Sequence, residues 1–425
     1  MKKYELYKDS GVGWIGEIPS HWSCVPFRRI AKVQCNLVRP SENLTMFQIS
    51  PDSIEKNSGK IIKTRTVEEA KVDSDNHRFY KGQILYSKIR PLLNKVTIAP
   101  YDGLCSADMY PISTIENTEY VMYYMLSEAF LSSVKNIVAD RVKMPKINQD
   151  ELKNTDFVIP PFSEQQVIVD YLKDKTLKIE QYVSARERER ELLDSLEQSE
   201  IANVVTRGLN PNVRMKDSGI FWVPQIPSHW KTTKLKHILV KLHREKSEDA
   251  ELLVCSNKGK VIKKGDTKMG LVADNNDIYQ GVCKGDLLIH GMDTWHGAIA
   301  ISDYDGMCTP VVHVCDSNQN KKFVAFYLQF MALSKVFKLI SNGVRQNTSD
   351  FRSWDKVGAI PIMLPPLEEQ QAIVDYIEAK LSKIDSCMAD LQTEIDYLKE
   401  FKQRLISDVV TGQICVAKPQ KGEQQ

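Results

Sequence analysis

The sequence predicts a mixed α and β fold built by tandem duplication. Each copy is a globular α/β domain followed by a long helix, and the two helices form an antiparallel coiled coil. Three observations predict it. Residues 9–22 read DSGVGWIGEIPSHW and residues 217–230 read DSGIFWVPQIPSHW, so one frame recurs at an offset of 208. PPFSEQQVIVDYL (Pro160–Leu172) matches PPLEEQQAIVDYI (Pro365–Ile377) at an offset of 205, and YDGLCSA (Tyr101–Ala107) matches YDGMCTP (Tyr304–Pro310) at 203, as KGQIL (Lys81–Leu85) does KGDLL (Lys284–Leu288). After each proline pair, apolar residues step by three and four over some 40 positions. Self-similarity at a fixed, long offset means that one supersecondary module is written twice.

A chain of 425 residues accommodates two modules of ordinary domain size. Its 57 Lys and Arg nearly balance 55 Asp and Glu, so the net charge of +2 does not by itself call for a polyanionic partner. Nine cysteines occur without a CxxC pair or a His/Cys cluster at zinc spacing, and no charged-then-apolar leader opens the chain, which points to a reduced, cytoplasmic setting. The most apolar stretch, Val324–Phe337, is interrupted by Gln329, Ser334 and Lys335 and is too short for a membrane span.

The expected organisation, in order, begins with a lead-in (1–22), a globular domain (23–159), a coiled-coil helix (160–206) and a linker with the second lead-in (207–230). A second globular domain (231–364), a second coiled-coil helix (365–412) and a tail (413–425) complete it. Within the globular regions, short β-branched runs such as GQILYSKI and PVVHVC alternate with helical stretches such as EYVMYYMLSEAFLSSV. Punctuation by Gly, Asp and Asn favours a compact, twisted or barrel-like sheet over a doubly wound one. Ser163 with Gln166 has the form of a capping box, and Phe162 can staple onto Val167, whereas the second copy has Leu367 in place of the serine.

The helices carry the most regular pattern. In the second, Ile377, Leu381, Ile384, Met388, Leu391, Ile395, Leu398, Lys402, Leu405 and Val409 form a coiled-coil seam with a single polar member. The aligned positions of the first are Leu172, Thr176, Ile179, Val183, Arg186, Arg190, Leu193, Glu197, Glu200 and Val204, half of them polar. The run ARERERE (Ala185–Glu191) is either a solvated face or a polar contact that sets the register. At about 1.5 Å per residue, some 40 residues make a spacer of roughly 60 Å. Packing of two copies about a pseudo-twofold axis would give a dumbbell with two heads held apart.

The duplicated polar positions carry almost no catalytic signature. SGKII (Ser58–Ile62) lacks the upstream glycine and the hydroxyl of a phosphate-binding loop, and no HExxH or GxSxG occurs. The proline pairs sit in IPPF and LPPL, whose Ile159 and Leu364 cannot accept an exocyclic amine, which argues against a methyl-transfer site. His21 and His229 read as structural hydrogen-bonding groups or partner contacts. Trp14, Trp22, Trp222 and Trp230 read as anchors of the lead-ins, and the repeated YDG as a turn opening a strand.

Local charge is more informative. Lys56–Ile98 carries ten basic and four acidic residues, a plausible phosphate-facing surface that includes Ser87, Lys88, Arg90 and Lys95. A second basic cluster, DRVKMPKIN, holds Arg141, Lys143 and Lys146. Its counterpart VRQNTSDFR holds Arg345, Gln346 and Asn347, side chains able to contact base edges bidentately. The second head is less basic (six Lys against five Asp over Cys255–Ile301) and would rely on shape and on groups such as Trp295 and His296.

The two PPxxEQQ helix starts, the two lead-ins ending in IPSHW and the two divergent domains between them resemble the specificity subunits of type I restriction-modification systems. The resemblance implies two target recognition domains, each reading one half of a split, asymmetric sequence in double-stranded DNA. It also implies a coiled-coil spacer that fixes the gap, and docking of two modification subunits. Those subunits would carry S-adenosylmethionine and methylate adenine N6. Two restriction subunits, where present, would add ATP- and magnesium-dependent chemistry, so this chain would hold no cofactor, metal or catalytic residue of its own. Two other readings stay open: a self-contained DNA-modifying enzyme, and a coiled-coil interaction protein whose heads bind something other than DNA.

Overall fold

The computed structural model describes residues 2–141, 143–247, 249–267, 278–341 and 349–416. The chain divides into two compact units, one of residues up to 187 together with those from 392 onward, the other of residues 188–391. Each unit therefore takes one half of each long helix.

In the first unit, a four-stranded antiparallel sheet has the order Val96–Ile98, Ile84–Ser87, Met109–Thr114, Ala31–Val33. A five-stranded sheet runs Leu37–Val38, Asn76–Phe79, Gly103–Ser106, Phe47–Ile49, Arg65–Thr66, with a single parallel pair between the third and fourth strands. Mostly antiparallel, short-stranded sheets agree with the punctuated strand pattern of the sequence. Helices Thr118–Met125 and Glu128–Val138 cover the four-stranded sheet and bury Tyr120, Tyr124 and Phe130 against Tyr86 and Phe157. Their starts are fixed by Asn117 and Ser127, whose side chains accept hydrogen bonds from first-turn amides.

The second unit repeats the four-stranded sheet with the same order, Ile299–Ile301, Leu287–His290, Val312–Ser317, Leu239–Lys241. Helix Lys321–Leu333, capped by Asn320, occupies the place of Thr118–Met125. Its five-stranded sheet is reduced among the described residues to two strand pairs, Leu253–Cys255 with Val261–Lys263 and Gln280–Val282 with Gly306–Cys308, joined by a single parallel bridge between Leu252 and Met307.

The repeated short motifs have mechanical explanations. Asp102 Oδ1 accepts from the Lys81 amide at 2.7 Å and Asp305 Oδ1 from the Lys284 amide at 2.8 Å, so each YDG turn clamps its KG turn. A Cβ on Gly103 would lie 2.5 Å from the Phe47 carbonyl oxygen, and one on Gly306 2.5 Å from that of Glu251, so only glycine fits beside the adjoining strand.

The duplicated pentapeptide is explained by the glutamate of each EQQ. Trp22 and Trp230 are fully buried. Trp22 Nε1 donates to Glu164 Oε2 at 3.0 Å, and Trp230 Nε1 to Glu369 Oε1 at 3.1 Å. His21 and His229 bond the same carboxylates through Nε2 at 3.0 and 2.7 Å, and the Tyr4 hydroxyl adds a further bond to Glu164. The next residue, the fully buried Gln165 or Gln370, accepts from the Asn117 or Asn320 amide at 3.0 Å and donates to the Pro160 or Pro365 carbonyl. Gln166 and Gln371 accept from the Asn117 and Asn320 side chains. Each EQQ thus joins lead-in, globular domain and long helix at one point.

This arrangement replaces the expected capping box. The helix (Phe162–Arg207) starts on the prolines, with the Pro161 carbonyl accepting from the Glu164 and Gln165 amides. Gln166 is already engaged with Asn117 and Asp170, and Phe162 and Val167 are both exposed, so neither box nor staple forms. Since the serine is not needed, Leu367 serves equally well at the start of the second helix (Leu367–Val410), where the Pro366 carbonyl accepts from Gln370.

Every expected seam position is buried or half-buried. In the first unit Leu172, Ile179, Val183, Ile395, Leu405 and Val409 join one core, with Leu398 against it. In the second, Val204 and Ile377 join the core with Leu381 against it, and Ile384 and Leu391 are buried along the same stripe, with Met388 half-buried. Pairings such as Glu180 with Lys402 (3.1 Å), Glu187 with Lys399 (3.0 Å) and Arg186 with Glu394 (3.0 Å) advance in opposite directions along the two segments, so they are antiparallel within that unit. In the other unit Tyr376 and Lys380 both meet Glu200. The Arg/Glu run is therefore not simply solvated: Arg186 and Glu187 pair across the seam.

Candidate nucleic-acid interface

In the first unit, three segments meet where strand Ile84–Ser87 ends. The Lys88 amide donates to the Asp108 carbonyl (2.9 Å), the Arg90 amide to Pro145 (2.8 Å) and the Ile147 amide to Lys88 (2.9 Å), with Ile89 and Lys146 forming a bridge. The structure thus gathers the two basic clusters that the sequence places some fifty residues apart. Ser87 is buried and donates to the Ile89 carbonyl at 3.0 Å, so it holds the bend rather than facing outward. The Lys88 ammonium lies 5.5 Å from the Tyr110 ring centre. Burial pushes the Tyr110 hydroxyl up to about 12, and it remains a donor, to the Ile147 carbonyl.

Arg90 and Lys143 are exposed, and neither forms an ion pair among the described residues. Lys146 is exposed with its ammonium 3.7 Å from Asp108. Arg141 forms a two-pronged pair with Glu151, whose carboxyl it holds below the usual range, and also reaches the Lys146 carbonyl. Lys95 departs from the expectation of an outward-facing cation. Its ammonium donates to the Pro51 carbonyl at 2.7 Å, beside the longer 3.4 Å bond from the Ile54 amide, and its side chain is only 17% exposed.

The second unit has a related corner at the same place. Gly291 donates to the Val311 carbonyl and Ser349 to the Met292 carbonyl, both at 2.9 Å. A Cβ on Gly291 would meet the Phe351 carbonyl oxygen at 2.8 Å, so the approach of the two segments requires glycine. Trp295 is half-buried, donates to Ser341 Oγ at 2.7 Å and has the Lys338 ammonium 5.8 Å from its ring centre. His296 is exposed. Arg345, Gln346 and Asn347 lie outside the described residues. Burial lowers the affinity of His290 and His313 for a proton, as it does for His77 in the first unit, where the Lys88 charge adds to the effect. Permanent positive charge at these corners therefore comes from lysine and arginine.

Sequence reasoning missed three kinds of residue. The glutamate and first glutamine of each EQQ were visible as duplicated polar letters, but their partners are some 140 and 48 residues away. Arg352 is exposed beside Gly291, flagged only by its place in the basic counterpart loop. Met144 is 56% exposed between basic neighbours, a position that no motif marks.

A sequence profile described as the type I restriction modification DNA specificity domain matches residues 43–185 and 227–397, one stretch for each copy. The chain belongs to that family. Among relatives of this specificity protein, the type I restriction enzyme EcoDI specificity subunit of Escherichia coli is 41% identical over 152 residues, covering 36% of this chain and 34% of its own length. The chain thus spans about a third of that relative. The putative type I restriction enzyme MjaX specificity subunit of Methanocaldococcus jannaschii is 24% identical over 430 residues, covering 95% and 96%. A chain from a solved structure, described as the structural basis underlying complex assembly and conformational transition of the type I R-M system, has the same fold. Its TM-score is 0.71 at 15% identity, over 93% of this chain and 99% of that one. Type I specificity subunits are what the duplicated motifs resemble, and the family assignment agrees. Among the described residues no helix is long and apolar enough to cross a membrane.

Proposed function

We propose that this chain reads a split, asymmetric sequence in double-stranded DNA, each unit reading one half. Residues 23–159 and 231–364 are the two reading domains, and the loop corners at the ends of strands Ile84–Ser87 and Leu287–His290 face the DNA. One observation carries the reading: matching sheets end in a loop corner in both units, pinned by the equivalent bond of Lys88 or Gly291, but the two corners carry different side chains. Lys88, Arg90, Lys143 and Lys146 at one corner face phosphates and base edges. Trp295 and His296 mark the other, which has Gly291 and Asp293 where the first has Lys88 and Arg90. A frame duplicated for docking and heads diverged for reading is what two different half-sites require.

The relatives' names place such subunits in type I restriction enzymes. Here the chain directs two modification subunits, which supply S-adenosylmethionine and adenine-N6 methyl transfer, and restriction subunits, which supply ATP- and magnesium-dependent cleavage. The antiparallel helix segments set the distance between half-sites. Mapping N6-methyladenine in a methylation-free host that expresses the cognate modification subunit, with and without this chain, tests the proposal. A two-part motif with a fixed gap, present only with the chain, is expected. Methylation indifferent to the chain would refute it.

A further inference from the structure

Two residues at the first corner adopt a backbone conformation that their side chains disfavour. Arg90 has φ +44° and Met144 also has φ +44°. The left-handed region costs a non-glycine residue roughly 1–2 kcal/mol, and Arg90 also precedes Pro91, whose ring disfavours helical backbone before it. Of the other non-glycine residues with positive φ among the described residues, Asn57 and Asn94 are of the type that tolerates it, while Lys71 ends a helix and Lys335 separates two. Arg90 opens the 3-10 turn Pro91–Leu93 and Met144 lies in a loop, and the two are neighbours in space: the Arg90 amide donates to the carbonyl of Pro145, the residue after Met144.

Both side chains point to an outward use. Arg90 is exposed without an ion pair among the described residues, and Met144 is 56% exposed, an apolar side chain flanked by Lys143 and Lys146. An unbranched thioether makes no phosphate contact and gains nothing in water. At the place in the second unit that matches Arg90, Asp293 has φ −111°, so the strain at Arg90 is not repeated there.

Resting on the proposed DNA-reading function, we infer that Arg90 and Met144 are a paired specificity element. The guanidinium donates through two parallel N–H groups to the O6 and N7 acceptors of a guanine edge, and the Met144 side chain packs on an adjacent apolar base surface such as a thymine methyl. The strained backbone holds the two at a fixed spacing, so adjacent base pairs of one half-site are read together.

The test is the N6-methyladenine map of cells carrying the cognate modification subunit with wild-type chain, Arg90→Ala, Met144→Ala or Met144→Gly. Glycine prefers the left-handed backbone and so separates side chain from strain. The expected result is relaxation confined to neighbouring positions of one half-site, with the other half-site and the gap unchanged. Discrimination at that position should fall about tenfold or more for Arg90→Ala and roughly three- to tenfold for either Met144 variant. Met144→Gly should lose discrimination while melting no lower than wild type. An unchanged motif in all three variants would overturn the inference while leaving the proposed function standing. A wild-type map without a two-part motif would overturn the proposed function itself.

Discussion

Replacing Glu164 by alanine tests the junction that joins lead-in, globular domain and helix. Trp22 has no exposed surface, and its single indole donor is spent on Glu164 Oε2 at 3.0 Å. Removing the carboxylate strands that donor away from water, which costs about 1–3 kcal/mol, and forfeits the bonds from His21 and Tyr4 as well. A hydrogen bond to a charged acceptor contributes roughly 1.5–3 kcal/mol, so a double-mutant cycle with Trp22→Phe and Glu164→Ala should return a coupling near 2 kcal/mol. Urea unfolding followed by circular dichroism supplies the four stabilities. The duplicate junction makes the same demand of Trp230 and Glu369, so the second cycle should agree within about 1 kcal/mol. Additive effects, with coupling below about 0.5 kcal/mol at both junctions, would refute the claim that the pentapeptide recurs to hold these carboxylates.

Other consequences follow from single groups. Burial works to raise the Glu180 carboxyl, but hydrogen bonds from Lys60 and Lys402 outweigh it and hold it below the ordinary value of 4.5. A folded-state pKa below the unfolded one stabilises fully above the unfolded value and fades as pH falls through the folded one. Glu180→Gln should therefore flatten the loss of stability in acid, read from urea midpoints between about pH 6 and pH 3. Gly103→Ala should cost about 2–3 kcal/mol, since the new methyl would meet the Phe47 carbonyl and the Phe79 ring, whereas Gly13→Ala, with nothing within 4 Å, should be close to neutral in the same melt. Lys143→Ala should weaken DNA binding by the assembled complex equally on all sequences and reduce the salt slope by about one. Lys95→Ala, by removing the shorter of the two bonds to the Pro51 carbonyl, should lower stability and leave that slope unchanged.

Much of the fold was legible because duplication doubles every signal. The helix bounds differ from the expected ones by one or two residues, since the proline pairs mark their starts and a 3.5-residue period fixes their buried stripe. Short strands between Gly and Asp turns were also visible, and the YDG turns open strands as read. What the sequence concealed is long-range and polar. Nothing local says that Glu164 answers Trp22, nor that the Pro161 carbonyl makes the Ser163 cap superfluous. Lys95 and Lys143 look alike in sequence, and only the position of the Pro51 loop turns one inward. Arg186 and Glu187 read as solvated charge until the opposite helix supplies Glu394 and Lys399.

The central claim, that each unit reads one half of the target, is tested most directly by exchange. Residues 231–364 would be replaced with the corresponding region of another family member of known target, and N6-methyladenine mapped with the modification subunit unchanged. One half of the motif should change to that of the donor while the other half and the gap stay as in wild type. A motif altered in both halves, or in neither, would contradict the account.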